Sequence, residues 1–351
     1  MSAAPAEVTT PHDHSRMATE APAGLCVRAP ARLHLGFLDP SASLGRRFGS
    51  LGLVIDGFDT VVEVRPAAVD ELRTDHPSTA AQRGRVLDHL QRLREHTGRT
   101  APLSLRLLQV PPSHAGFGSG TQLALAVGRA FAAVHGLDLP TAKLAHWLGR
   151  GQRSGIGIAG FDQGGLLVDG GPGADGAPAP LLSRLVLPRD WQVLVVLDER
   201  LQGLSGAAER EAIATLPPLP RERAAEICHE VLMRVMPGAA LGEFASFAAG
   251  VNRIQDVLGQ HFAPAQAGGV WTSAAVGRLM MHWRGTEQVA LGQSSWGPTG
   301  FVIVPSAADA RRLIATARRA GALDPALELR IVGARGQGAG VAPLAPAAAA
   351  R

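Results

Sequence analysis

The 351-residue sequence predicts a two-lobed α+β fold, and three observations carry that expectation. Aliphatic runs recur at strand length. Helical periodicity falls between them without the strict βαβα order of a doubly wound sheet. After the surface loop "GPGADGAPAP" the pattern starts again. The expected division is a disordered lead at 1–24, one lobe at 25–188, a second at 189–342 and a frayed tail at 343–351. No internal repeat is present.

The lead is rich in Ala, Pro, Thr and His; its "HDH" could bind a metal, whereas composition alone reads as a solvated tail. Strands are expected in "LCVRAPARLHLGF", "LGLVIDG", "TVVEVRP" and "LSLRLLQV", with a helix at about 79–96 among them. A glycine-rich turn in "SHAGFGSGTQLALAVGRAF" then enters a helix that runs to about His135. Proline opens a second helix in "LPTAKLAHWLGRG", and "GGLLVDGG" is a short strand closed by glycines. In the second half "RLVLPRDWQVLVVLDE" holds two strands. Helices follow at about 205–236, 241–259 and 271–283, then the strand "GFVIVP", a helix at about 307–320 and the strand "LELRIVG".

Composition narrows the function. The net charge of +4 is small and the basic residues are dispersed, which excludes the concentrated footprint of a nucleic-acid binder and leaves anionic small molecules as ligands. Cys26 and Cys228 are the only cysteines and have no metal-ligand or disulfide spacing, so a reducing cytoplasm is the expected compartment. The start lacks a signal-peptide core, and aliphatic runs such as "VLVVL" are too short for a bilayer span, so no membrane partner is expected.

The glycine turn is where chemistry concentrates. Gly116, Gly118 and Gly120 remove side chains where backbone must approach an anion, and Ser119 and Thr121 add hydroxyls at a helix start whose N–H groups attract negative charge. A di- or triphosphate suits such a seat, and a purely structural strand–turn–helix is the alternative. Neither the Walker A spacing nor the Rossmann glycine pattern is present.

Together with the earlier "APARLHLGF" and the later "LGQSSWGPTGFVIV", this loop resembles the three signature motifs of the GHMP superfamily, named for galacto-, homoserine, mevalonate and phosphomevalonate kinases. That resemblance implies an N-terminal lobe like domain 2 of ribosomal protein S5 and a ferredoxin-like C-terminal lobe. Longer stretches, "APARLHLGFLDPSASLGRRFGSLGL", "GFGSGTQLALAVG", "GRGQRSGIGIAGFDQGGLLVDGG" and "GQSSWGPTGF", are similar to the β-ribofuranosylaminobenzene 5'-phosphate synthase family, a non-kinase branch. The likeness extends over roughly residues 26–340. Gln255, Gln266, Gly268 and Gly269 also match that pattern. Many GHMP kinases carry an aspartate where this chain has Gly157 in "SGIG", and the second of their tandem loop serines is Gly120 here.

The resemblance implies a pentosyltransferase that condenses phosphoribosyl pyrophosphate with 4-aminobenzoate or a close para-substituted benzoate, releasing carbon dioxide and pyrophosphate, at the entry to methanopterin biosynthesis. Magnesium is the implied cofactor, with Thr121 as a ligand. An ATP-dependent GHMP kinase is the alternative, and a catalytically silent ligand sensor on the same fold is the second. A homodimer stays open.

On this reading the loop, Arg153, Ser154, Gly155 and Gly157 surround the diphosphate, although an exposed helix-end arginine is the other reading of Arg153. Arg32, Arg46 and Arg47 are candidates to hold the benzoate carboxylate, with a solvated face as the alternative for Arg46 and Arg47. His34 either touches substrate or is a satisfied core histidine. Asp39 and Asp162 either stabilise the oxocarbenium-like centre or metal, or form a turn and a helix cap. Ser295, Trp296, Gly297 and Thr299 are expected to line the cleft, where Trp296 would stack on the planar acceptor or sit in the core.

Overall fold

The structure, a computed structural model, describes residues 24–173, 176–204, 206–266 and 268–344. The expected lead at 1–23, with its "HDH", and the tail at 345–351 lie outside the described residues.

The first half opens with two long strands, β1 (Leu25–Asp39) and β2 (Phe48–Pro66), whose alternating apolar residues suit pleated pairing. They are followed by β3 (Glu71–Thr74), α1 (Pro77–Ala80), α2 (Arg83–Thr97) and β4 (Leu103–Gln109). Then come α3 (Ser119–Val134), α4 (Thr141–Trp147), α5 (Ile156–Gln163), β5 (Leu166–Asp169) and β6 (Leu181–Leu185). The second half holds β7 (Gln192–Leu197), α6 (Gly206–Thr215), α7 (Arg221–Glu230), a π-helical segment at Val231–Val235, α8 (Met236–Leu241), α9 (Phe244–Phe262) and α10 (Ala274–Thr286). It closes with β8 (Ala290–Gln293), β9 (Gly300–Val304), α11 (Ala307–Arg319), β10 (Glu328–Gly333) and β11 (Gly340–Pro343).

Seven strands form the first sheet in the order β11-β1-β2-β4-β3, with β5 pairing β2 and β6. The second sheet runs β10-β7-β9-β8, all antiparallel. Counted along the chain that order is fourth, first, third, second, the ferredoxin-like arrangement. Two differences from the sequence reading have a common cause. β6 turns back onto β5, and the last strand, β11, pairs with β1 instead of ending the second lobe, so the chain returns to its first sheet. Such long-range pairing leaves no local signature.

One apolar cluster fills the space between the first sheet and α2–α5, with Leu125, Phe131 and Leu144 fully buried. Another runs under both lobes, joining Leu33, Leu35 and Phe117 to Val193, Phe301 and Val251. Among the described residues no helix is long and apolar enough to cross a membrane.

Candidate active site

The turn between β4 and α3 is built from backbone that glycine adopts most easily: Gly116 has φ +95°, and Gly118, the N-cap of α3, has φ +68°. Glycine at 118 also makes room, because a Cβ there would stand 2.8 Å from the Arg32 Cζ. Arg32 arrives from β1, donates from Nη1 to the Gly116 carbonyl at 3.3 Å and keeps a buried Nε with no partner. Burial, with a smaller push from Arg153, lowers its pKa to about 10 against the opposing pull of Glu209 and Asp169. The Ser119 and Thr121 hydroxyls and the Ser119 and Gly120 N–H groups have no acceptor or donor partner among the described residues, and this first turn is partly open to solvent. Backbone donors, hydroxyls and a guanidinium therefore gather at one partly exposed helix start, the kind of place where an anion binds.

The turn between β8 and β9 packs directly against that loop. A Cβ on Gly297 would collide with the Ala115 carbonyl group. The buried Ser294 hydroxyl donates to the Gly116 carbonyl at 2.7 Å and accepts from the His34 N–H at 2.9 Å. Ser295 holds a left-handed φ of +54° and donates its N–H to the His34 carbonyl. On the far side of this turn lies a cavity of about 250 Å³ lined by His34, Phe37, Phe262, Trp271, Gln293 and Trp296, among others. Trp296 is buried with its ring 4.8 Å from that of Phe262, so it is both core and cavity wall. His34 keeps a buried Nε2 without a partner. Burial, then Arg32 and Arg153, push its pKa well below the ordinary histidine range, so the ring is neutral at pH 7. Arg32 and His34 are two residues apart on β1 and so share a strand face, one beside the phosphate loop and the other in the cavity wall.

α5 closes the third side. Gly157 packs on the first turn of α3, where a Cβ would meet the Thr121 methyl at 3.0 Å, and its carbonyl accepts from Gln122 Nε2 at 2.9 Å. The N-terminal donors of α5 are not free for a ligand. Asp169 accepts from the Gly155 and Ile156 N–H groups and from the Ser154 hydroxyl, so these donors, expected to bind substrate, have an internal partner. Burial nevertheless raises the Asp169 pKa. Arg153 donates from Nη2 to Glu209 at 2.7 Å, while its buried Nη1 has no partner.

Residues 84–166 match the family described as GHMP kinases N terminal domain. The β-ribofuranosylphenol 5'-phosphate synthase of Archaeoglobus fulgidus is 33% identical over 296 residues, covering 80% of this chain and 88% of that protein. The chain belongs to this synthase family. The synthase of the same name from Methanothermobacter thermautotrophicus is 30% identical over 249 residues, 66% of this chain and 75% of its own. The family's fold is that of the GHMP kinases: the Streptococcus pneumoniae phosphomevalonate kinase aligns with a TM-score of 0.63 at 12% identity, over 88% of this chain and 98% of its own.

Several residues expected at the synthase site have other partners. The Asp39 carboxylate accepts from Ser43 Oγ and from the Ser41 and Leu44 N–H groups, holding the turn after β1. Asp162 is exposed at the end of α5 and accepts from the Thr141 hydroxyl at 2.5 Å. Arg46 donates to the Gly171 carbonyl and Arg47 to that of Pro40, both from an exposed loop, so they tie loops together. Arg32 sits against the glycine loop, beside Gly116 and Gly118. Gln255 bridges β1 and β8, donating to the Leu35 carbonyl and accepting from the Gln293 N–H. Gln266 accepts from Thr272 and Gln293 at the cavity. Gly268 and Gly269 follow it in the chain, and Gly268 holds a left-handed φ of +84°. Thr299 is buried with its hydroxyl unpartnered. Sequence reasoning missed Ser294, Asp169 and Glu209, of which Ser294 and Asp169 lay inside recognised stretches and Glu209 did not.

Proposed function

We propose that the chain joins phosphoribosyl pyrophosphate to a para-substituted benzoate and releases pyrophosphate and carbon dioxide. The observation that carries this reading is the Ser294-Ser295 turn: one residue bonds the phosphate loop and the next lines an aromatic-walled cavity, so an anion seat and an apolar pocket share one wall. Relatives named for a ribofuranosylphenol product support the reading and make 4-hydroxybenzoate an acceptor to test beside 4-aminobenzoate.

The diphosphate lies against the α3 N-terminus, Ser119, Thr121 and Arg32, which stabilise the charge that grows as the bond from the anomeric carbon to the diphosphate oxygen breaks. The ring carbon bearing the carboxylate forms the new bond to the anomeric carbon from the opposite face. The bond to the carboxylate then breaks, its electron pair restores the aromatic ring, and carbon dioxide departs without any net proton change. Apolar walls disfavour a buried carboxylate, which favours its loss. The neutral His34 offers the acceptor one hydrogen bond without adding a charge.

Among the described residues no three His, Cys, Asp or Glu side chains gather to hold a metal. Magnesium would be held here with the diphosphate by the unpartnered hydroxyls of Ser119 and Thr121. When bound it neutralises the leaving group. The cytoplasm, where both substrates would form, is the proposed compartment.

The test is to incubate the purified protein with phosphoribosyl pyrophosphate and either carboxyl-labelled benzoate, without ATP, and to measure labelled carbon dioxide and pyrophosphate. Equal, magnesium-dependent release of both is expected. Turnover that requires and consumes ATP would transfer the protein to the kinase class.

A further inference from the structure

One flank of the glycine loop carries three arginines and a buried histidine with no acidic partner among the described residues. Arg85, His89 and Arg92 stand at i, i+4 and i+7 of α2 and so form one stripe on that helix. Arg150, in the turn after α4, points at the same place: its Nη1 lies 3.5 Å from where a Gly120 Cβ would stand, and Arg92 Nη1 lies equally near the corresponding position of Gly149. Arg85 donates to Gln82 Oε1 and lies 3.3 Å from the Nε2 of His114, a residue of the glycine turn with a left-handed φ of +58°.

The group is unsatisfied as it stands. His89 is only 5% exposed, and neither ring nitrogen has a partner. The buried Nε of Arg150 has none either. Burial, then Arg150, Arg92 and Arg85, push the His89 pKa down to about 4, and burial with Arg85 and Arg92 lowers that of Arg150. Elsewhere arginines of similar depth are paired, as Arg94 is with Asp70 and Arg284 with Asp256. Like charges packed together with buried, unsatisfied donors call for a polyvalent anion.

We propose that Arg85, His89, Arg92 and Arg150 form a second anion subsite for a phosphate monoester, the 5'-phosphate of the pentose substrate, while the α3 N-terminus and Arg32 hold the diphosphate. This rests on the synthase reading above. Gly120 joins the two seats: its N–H, in the first turn of α3, has no partner among the described residues, and Arg150 stands within contact distance of its Cβ position. A ribose carrying phosphate at one end and diphosphate at the other spans two such adjacent seats.

Calorimetric titrations of the full chain with ribose 5-phosphate and with pyrophosphate, as separate probes, test the assignment. Arg150→Gln should weaken ribose 5-phosphate binding about tenfold or more and change pyrophosphate binding less than about threefold, and Arg150→Lys should recover part of the loss. Arg92→Gln, at an exposed helix position, should act in the same direction, and it supplies the answer if the Arg150 variants do not fold. Equal weakening of both probes, unchanged ribose 5-phosphate binding in both Gln variants, or no binding of ribose 5-phosphate by the wild type would each overturn the subsite. Competition by ATP at this cluster without competition by ribose 5-phosphate would assign it to a nucleotide and also overturn the proposal. The two readings separate cleanly. Ribose 5-phosphate bound through these residues by a protein that forms no product removes the synthase reading and keeps the subsite. Product formation with an unaltered KM for phosphoribosyl pyrophosphate in Arg92→Gln and Arg150→Gln removes the subsite and keeps the synthase.

Discussion

Replacing Gly118 by alanine places a methyl group where the Arg32 guanidinium now lies, 2.8 Å from Cζ and 2.9 Å from Nε. Because those atoms are the far end of a flexible side chain, the guanidinium yields and the loop persists. Two effects follow. A non-glycine residue held at φ +68° loses about 1–2 kcal/mol of stability, seen as a drop of a few degrees in Tm. The displaced Arg32 leaves the Gly116 carbonyl and, on the proposed function, the diphosphate, which removes a charged hydrogen bond of about 1.5–3 kcal/mol. Calorimetry should then show phosphoribosyl pyrophosphate binding weakened roughly ten- to 150-fold. The control is a double-mutant cycle with Arg32→Ala, in which the methyl has nothing to displace, so its further effect on binding should fall below about 0.5 kcal/mol. Additive losses, or a Gly118→Ala protein that melts lower but binds like the wild type, would refute the role given to Arg32.

At Gly157, alanine pushes on the Thr121 methyl at 3.0 Å and should reduce activity moderately, whereas aspartate adds a negative charge beside the diphosphate and should reduce kcat/KM for phosphoribosyl pyrophosphate further; equal losses would assign the glycine to packing alone. Glu209→Gln releases Arg153 from its carboxylate partner and should lower the KM for the same substrate severalfold, while Arg153→Ala should weaken its binding by about 1.5–3 kcal/mol, and unchanged constants in both would return the pair to a structural role. Acid should destabilise the fold through His34 and His89. Both have folded pKa values below the ordinary 6.5, so the unfolded chain takes up protons first; stability is full above about pH 7 and declines as pH falls from about 6.5 toward 4. Thermal melts should show a loss on the order of 1–2 kcal/mol from His89 by pH 5, with His34 acting in the same direction, and His89→Gln should flatten the curve; an unchanged slope in that variant would exclude His89 as a source.

The glycine turn into α3 was legible because its information is local: three alternating glycines, two hydroxyls and an apolar helix in one unbroken run. α5 was not read as a helix, since Gly155, Gly157 and Gly160 depress helical propensity. It forms because Asp169, thirteen residues downstream of Ile156, caps its N-terminus, and because those glycines allow close approach to Thr121 and Val54. In the sequence that aspartate looks like a turn residue in "LVDGG". Strand alternation marks β1, but it carries no information about which face meets which loop, so the place of Arg32 beside Gly116 and Gly118 could not be read. For Asp39 and Asp162 two readings were open, and the structure shows Asp39 holding the turn after β1 and Asp162 accepting from the Thr141 hydroxyl. Of the cavity wall, His34, Ser295, Trp296, Gln255 and Gln266 were legible, whereas Phe262 and Trp271 come from segments that only the tertiary fold brings together.

The Ser294 hydroxyl, fixed between the Gly116 carbonyl and the His34 N–H above an apolar core continuous under both lobes, acts as a strut. A hinge that parted the lobes would have to break that strut and wet Leu33, Phe117, Val193 and Phe301 together. The molecule is thus built against clamshell breathing. Substrates and products must pass through the cleft mouth by rearrangement of rim side chains, and solution scattering profiles with and without ligand should superimpose.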